Sequence, residues 1–208
     1  RLTLNQLSDR LENKAIETTV FHPATGAPTT FLVTRDKLLG ILRLSMYSPA
    51  TRSLVPLTID HTAAGNYQSL LGLYSLTMDG LDMAVGMHNS VACAEDIHRI
   101  DSALLADIKQ SYTANAMHQA LLESCSIWPT EKVNYSFFAP IESDIPTLLL
   151  SGELDPATPP DWGTLAMEKM TNAKHFVAPY ATHGVATQSC GNDLVAELID
   201  QGSLNDLD

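Results

Sequence analysis

The chain of 208 residues is long enough for one domain of ordinary size or two small ones, and its 45% hydrophobic and 17% charged residues are typical of a globular protein. Its 24 acidic and 12 basic residues give a formal net charge of −12, which disfavours contact with phosphate backbones and anionic lipid. Apolar stretches run for only a few residues, whereas a membrane-spanning helix needs roughly 20. The composition therefore predicts a protein that binds neither nucleic acid nor membranes.

The first two thirds of the chain have a mostly helical pattern. Two β-rich runs early in the chain flank a turn that contains Pro and Gly, and they predict a small hairpin near 18–34. The run Met83 to Cys93 is apolar but contains Gly86, His88 and Asn89, so it fits an irregular strand as well as a helix, and it is interpreted as a strand. The spacing of apolar residues predicts helices over 3–15, 36–47, 50–63, 67–79 and 97–127, the last one broken near Tyr112.

After about residue 140 the pattern changes to alternating strands and helices. The expected elements are a buried strand at 146–151, a helix at 161–171, a second strand at 174–178 and a closing helix at 191–201. Such alternation is typical of an α/β fold with a parallel sheet. We therefore expect two parts, a mostly helical region over 1–140 and an α/β region over 141–208.

Polar residues follow both predicted strands of the last third. Asp155 lies in a Pro-rich loop just after the first strand, and His183 lies just beyond the second, 28 residues later. Ligands of open α/β sheets gather at the carboxyl ends of strands, and one βαβ crossover places both loops at the same sheet edge. Asp155 and His183 are thus predicted within hydrogen-bond reach as orienter and general base, with His183 facing a cleft. The alternative is that Asp155 merely shapes a turn.

These residues belong to a longer pattern that resembles a known family. Residues 145–202 resemble the C-terminal part of tripeptidyl-aminopeptidase-like (TAP-like) α/β-hydrolases, which are relatives of proline iminopeptidases. The resemblance rests on the strand followed by Gly-Glu-Leu-Asp-Pro-Ala-Thr-Pro, on His183-Gly184, and on Cys190-Gly191 before the final helix. It implies a partial α/β-hydrolase fold in which residues 1–140 form a lid or cap. It also implies that Asp155 and His183 are the acid and base of a serine aminopeptidase, which releases residues or short peptides from peptide N-termini. Such an enzyme would act outside the cytoplasm, either secreted or periplasmic.

The nucleophile of such an enzyme is missing from the 208 residues. The family carries its serine in a G-x-S-x-G turn, and no glycine of this chain has a serine and a further glycine at that spacing. We therefore expect the serine and the oxyanion hole to lie in an N-terminal part of the same enzyme. The expected partners of this chain are therefore that N-terminal part and the peptide substrate.

Glu95 and Asp96 are candidates for binding the free α-amino group of a peptide, because an aminopeptidase needs a carboxylate at that position. The alternative is a solvated helix N-terminus, where acidic residues are favoured by the helix dipole. His88 lies in the apolar run and is interpreted as a hydrogen-bonded core residue. The histidines show no spacing typical of a metal site, and the sequence indicates no cofactor.

The three cysteines are Cys93, Cys125 and Cys190, and they lack the spacings of a zinc site. Cys93 and Cys125 flank a helical stretch, and we expect them to form a disulfide. A persisting disulfide indicates an oxidising compartment, which agrees with the export that the resemblance implies. Cys190 is then either free or paired with a cysteine outside these residues.

Two other functions stay open at this point. The same Asp and His could serve an esterase or another α/β-hydrolase, because the loops and the lid decide the substrate. The second is a non-catalytic binding module that has the closing strands but no nucleophile.

Overall fold

The computed structural model describes residues 4–78, 83–205 and 207. The chain divides into two compact units, and each contains two stretches of sequence. The first unit comprises Arg1–Arg43 and Pro56–Phe137, and the second comprises Leu44–Val55 and Phe138–Asp208. The second unit thus begins close to the change of pattern near residue 140, but it also includes a short early segment.

The N-terminal part of the first unit combines helices with the predicted hairpin. Strands β1 and β2 pair antiparallel, from Ile16 opposite Val33 to Phe21 opposite Pro28. Val20, Phe31 and Val33 are buried, whereas Glu17 and Leu32 are exposed, as expected for a hairpin with one packed face. The elements are α1 (Leu4–Asn13), β1 (Ile16–Phe21), β2 (Pro28–Val33), α2 (Arg35–Ser45), α3 (Pro49–Ala63) and α4 (Gln68–Thr77), of which α2 and α3 extend across the boundary between the units.

The segment predicted as a strand over Met83 to Cys93 is helical, so that prediction is wrong. Helix α5 (Val85–Val91) continues into a π-helix (Ala92–Asp96). The reason lies in its contacts with the region around Trp128: the indole lies against Gly86 and donates from Nε1 to Ser90 Oγ at 3.0 Å. Gly86, Ser90 and Cys93 are spaced four and three residues apart, which is one face of a helix. His88 is exposed, so it is not the core residue that we expected.

Two further helices follow, and the predicted break near Tyr112 is present. Helix α6 (Ser102–Gln110) begins after Asp101, whose side chain accepts from the backbone N–H groups of Ala103 and Leu104. Helix α7 (Tyr112–Ile127) begins after Ser111, which has extended backbone angles and caps the helix by accepting from Ala114 N–H. Both residue types favour the N-cap over the helix interior, so a serine at 111 interrupts the long helical pattern.

A disulfide joins the π-helix to α7. Cys93 and Cys125 are bonded, with their Cα atoms 5.3 Å apart, which lies within the ordinary range for a disulfide. The bond closes the loop that carries α6 and most of α7. Cys190 is exposed and is a free thiol.

The second unit contains a parallel strand pair with a helix after each strand. Strand β3 (Thr147–Gly152) and strand β4 (Ala173–Ala178) run from Thr147 opposite Ala173 to Gly152 opposite Ala178. Helix α9 (Gly191–Gln201) covers the pair, and an apolar cluster holds it there. That cluster consists of Leu194, Leu204 and Leu207, with Leu148, Leu150, Phe176 and Leu198 packed against it.

Helix α8 (Pro160–Ala166) connects the two strands and is shorter than predicted. His175 Nε2 and Ser151 Oγ are 2.8 Å apart on adjacent strands, and a Cβ at Gly163 would lie 2.8 Å from that imidazole. Glycine at 163 therefore lets α8 lie close to the sheet at this point. Trp162, in this helix, is 61% exposed.

Within the described ranges the molecule is mostly helical and has one parallel sheet of two strands. This confirms the predicted α/β class, in its partial form. None of the helices in these ranges is long and apolar enough to cross a membrane.

Candidate active site

Asp155 lies in the loop between β3 and α8, and its carboxylate organises that loop. Oδ1 accepts from the backbone N–H groups of Ala157 and Thr158 at 2.8 and 3.0 Å, and Oδ2 accepts from the Thr158 hydroxyl at 2.9 Å. The proposed turn-shaping role of Asp155 is therefore real. These bonds also fix the orientation of the carboxylate, since both oxygens are held within a few residues of their own backbone.

His183 follows β4, and its imidazole contacts the same carboxylate. Nδ1 of His183 lies 2.9 Å from Oδ2 and 3.1 Å from Oδ1 of Asp155. The next residue, Gly184, has a φ of 73°, a backbone conformation that glycine adopts without strain. The hydrogen bond predicted from the matched strand ends is thus present in the structure.

The Asp155 carboxyl is only 5% exposed, whereas the His183 side chain is 42% exposed. Burial acts to raise the pKa of Asp155, but hydrogen bonds from the backbone N–H groups of Thr158 and Ala157 act to lower it. The bonds from His183 and from the Thr158 hydroxyl add to the lowering, and together they hold the pKa of Asp155 below its ordinary value of 3.8. The carboxylate is therefore ionised at neutral pH and can only accept hydrogen bonds.

The ionised carboxylate decides the tautomer of His183. Because both oxygens of Asp155 are acceptors, the neutral imidazole must carry its proton on Nδ1, and Nε2 then presents a lone pair. Among the residues that the structure describes, none forms a hydrogen bond with Nε2 of His183. The arrangement is that of a general base with its orienting acid.

Gln188 holds the backbone on both sides of the imidazole. Its Oε1 accepts from the N–H of Thr182 at 2.9 Å, and its Nε2 donates to the carbonyl of His183. Thr182 itself is fully buried. A single amide side chain therefore fixes the backbone of two consecutive residues, Thr182 and His183.

Close backbone contact joins the two loops of the site. A Cβ at Gly152 would lie 2.2 Å from the carbonyl oxygen of Thr182 and 2.6 Å from that of Ala181. No side chain fits there, so the glycine at the end of β3 allows the His183 loop to lie directly over the start of the Asp155 loop. Glycine is required at 152 because the backbones of the two loops approach closely there. Its backbone conformation is not the reason, because Gly152 does not have a positive φ.

Tyr47, from the early segment of the second unit, also contacts the site. Its ring meets the imidazole of His183 edge to face, with the centroids 4.9 Å apart, and its carbonyl accepts from the Thr182 hydroxyl at 2.8 Å. Sequence reasoning missed Tyr47, Thr182 and Gln188. Tyr47 lies within the residues 1–140 that the resemblance makes a lid or cap, and it is 136 residues before His183 in the chain.

Comparison with protein families gives one match. Residues 110–208 match the family described as TAP-like protein. This region is a TAP-like α/β-hydrolase C-terminal region. A comparison with curated proteins gave no match.

The match covers only part of the candidate site. Asp155, His183 and Gln188 lie within the TAP-like region, whereas Tyr47, Glu95 and Asp96 precede it. Glu95 and Asp96 lie in the π-helix of the first unit, and Asp96 directly precedes the 3₁₀-helix Ile97–Arg99. Their binding of an α-amino group stays a prediction.

The lowered pKa of Asp155 predicts how stability depends on pH. A carboxylate with a lowered pKa in the folded state contributes stability that is fully present above the unfolded pKa of about 4 and is lost as the pH falls through the folded pKa. We expect Asp155→Asn to lower the free energy of unfolding by about 1 to 3 kcal/mol at pH 7 and by much less in acid. Urea unfolding of both proteins between pH 3 and 7 measures this.

The matched control is Asp144→Asn, which alters an exposed carboxylate in the same unit. Its effect should be small at every pH, since exposed charges contribute little. A destabilisation by Asp155→Asn that is as large at pH 3 as at pH 7 would contradict the ionised hydrogen-bonded carboxylate.

Proposed function

We propose that this chain supplies the acid and base of a Ser-His-Asp triad in an exported serine aminopeptidase. The hydrolase class follows from the TAP-like region. The observation that carries the proposal is the pair of hydrogen bonds from Nδ1 of His183 to Asp155, which leaves Nε2 as a proton acceptor. The 42% exposure of the His183 side chain makes that nitrogen reachable for a reacting group.

The geometry supports a definite sequence of proton transfers. Nε2 of His183 takes the hydroxyl proton of a serine as that oxygen attacks the peptide carbonyl, and the carboxylate of Asp155 stabilises the resulting imidazolium. The proton is then given to the departing amine, which leaves an acyl-enzyme. Water attacks the acyl group by the same base catalysis, and the serine is regenerated.

The serine, in this proposal, comes from chain outside these 208 residues, as does the oxyanion hole. The sequence has no G-x-S-x-G turn that would present one. The apolar surface of the second unit supports a covering partner. Trp162, Leu165, Val177 and Ile199 are between 43% and 74% exposed on its helices and strand. We propose that the N-terminal part of the same enzyme packs there.

The aminopeptidase specificity rests on the two acidic residues of the π-helix. Glu95 is half-buried and Asp96 is exposed, and either carboxylate can pair with the free α-amino group of a peptide. π-Helical turns are rare and often occur at functional sites. The disulfide between Cys93 and Cys125 lies in the same segment and supports export to an oxidising compartment.

The first test concerns the base. In the enzyme that includes the N-terminal part, we expect His183→Ala to lower kcat for a tripeptidyl anilide by about 10⁴-fold or more. His88→Ala, which alters an exposed histidine of α5, should leave kcat unchanged. The 208-residue chain alone should show no turnover. Turnover by that chain that disappears in His183→Ala would place a nucleophile within these residues and contradict the proposal.

The second test concerns specificity. We expect Glu95→Gln or Asp96→Asn to raise KM for a peptide with a free amino group by about 10-fold, because a charge-assisted hydrogen bond is lost. KM for the same peptide with an acetylated amino group should not change. Equal turnover of the free and acetylated peptides, with faster turnover of simple esters, would favour an esterase. Absence of both activities in the wild-type enzyme would favour a binding module.

A further inference from the structure

The two loops of the candidate site are joined by hydrogen bonds close to the strand ends. The N–H of Glu153 donates to the carbonyl of Ala178 at 3.0 Å, and the N–H of Leu154 donates to the carbonyl of Ala181 at 2.9 Å. Between these two carbonyls the chain passes through Pro179 and Tyr180. The backbone of this short connection decides where residues 181–183 lie.

Tyr180 has a backbone conformation that tyrosine rarely adopts. Its φ is 60°, and it is the one residue other than glycine with a positive φ in the described ranges. A bulky residue in this region is under steric strain, because its Cβ approaches the neighbouring carbonyl oxygen. The side chain is 79% exposed, so burial of the ring does not compensate for the strain. The N–H of Ala181 donates to the carbonyl of Ala178 across this turn, but that bond is long at 3.4 Å. A further interaction therefore favours the conformation.

Glu153 provides that interaction. Its Oε2 accepts from the N–H of Tyr180 at 2.8 Å, across the two loops. A carboxylate is a stronger acceptor than a neutral oxygen, and its bond is directed at the peptide unit whose φ is strained. Strained residues persist when the surrounding structure determines them, and they are concentrated at active sites.

We infer that Glu153 is a positioning residue of the active site. Its carboxylate holds Tyr180 in the left-handed conformation, and this backbone path sets His183, three residues later, against Asp155. Without the acceptor, residue 180 relaxes to negative φ, which changes the direction of the chain between Ala178 and His183. The bond between Leu154 and Ala181 and the contact between His183 and Asp155 then weaken together. The inference rests on the proposed function only in taking His183 as the base.

Four variants separate this role from a general effect of charge. Glu153→Ala removes the acceptor, whereas Glu153→Gln keeps an oxygen that can accept from Tyr180. Tyr180→Gly removes the strain, because glycine adopts positive φ freely. The double variant Glu153→Ala with Tyr180→Gly therefore lacks the acceptor but no longer needs it.

The first readout is the NMR signal of the Nδ1 proton of His183 in the 208-residue chain. The hydrogen bond to Asp155 protects this proton from exchange, and its detection needs neither the serine nor turnover. We expect the signal in the wild type, in Glu153→Gln and in the double variant, and its loss or a clear shift in Glu153→Ala. Backbone amide signals of α9 and the apolar cluster check that each variant is folded.

The second readout is turnover by the enzyme that includes the N-terminal part. Glu153→Ala should lower kcat by about 10- to 100-fold, since a base displaced by about 1 Å loses that much, with KM unchanged. Glu153→Gln and the double variant should stay within about 3-fold of the wild type, which allows for scatter between preparations and for context.

Either of two results would overturn the inference: Glu153→Gln behaving like Glu153→Ala, or the double variant showing no recovery of the Nδ1 signal. Failure of the proposed function is a different result. The Nδ1 signal would then follow the expected pattern while turnover did not depend on His183 at all. That outcome would support Glu153 as a residue that positions His183 against Asp155. It would also show that His183 and Asp155 have no catalytic role.

Discussion

The chemistry proposed for this chain depends on the hydrogen bond between the Asp155 carboxylate and Nδ1 of His183. Because its own loop donates three hydrogen bonds to the carboxylate, Asp155 stays ionised in a nearly buried place. An ionised Asp155 fixes the proton of a neutral His183 on Nδ1 and thereby leaves the lone pair on Nε2. The hydrogen bonds by which Asp155 shapes its turn are thus the ones that hold its carboxylate toward His183.

The surrounding structure holds the Asp155 loop and the His183 loop side by side at one end of the parallel strand pair. Parallel pairing places the ends of β3 and β4 side by side, and the absence of a Cβ at Gly152 lets the second loop lie on the first. Gln188 then fixes the peptide units around His183, and the Tyr47 ring supports the imidazole from the early segment of the second unit. Each contact is modest in energy, but together they allow the imidazole very little freedom.

Much of this arrangement could be predicted because its determinants are local. Buried strands, the residues that follow them and one crossover suffice to bring Asp155 and His183 together. The helix at 85–91 could not be predicted, since its stability comes from contact with Trp128 and from the disulfide to α7, and both partners are distant in sequence. Tyr47 was missed for the same reason. The left-handed conformation of Tyr180 has no signal in its residue type, and the carboxylate that accepts from its N–H lies in another loop.

We propose that the base of the enzyme is in this chain and that the serine it activates is not. Labelling of the complete enzyme with a fluorophosphonate, followed by mass spectrometry of the digested protein, tests this directly, because the reagent bonds covalently to a serine activated by a neighbouring base. The account predicts one labelled serine outside residues 1–208 and no labelling in the His183→Ala variant. Label on a serine within these residues, or labelling that persists without His183, would contradict it.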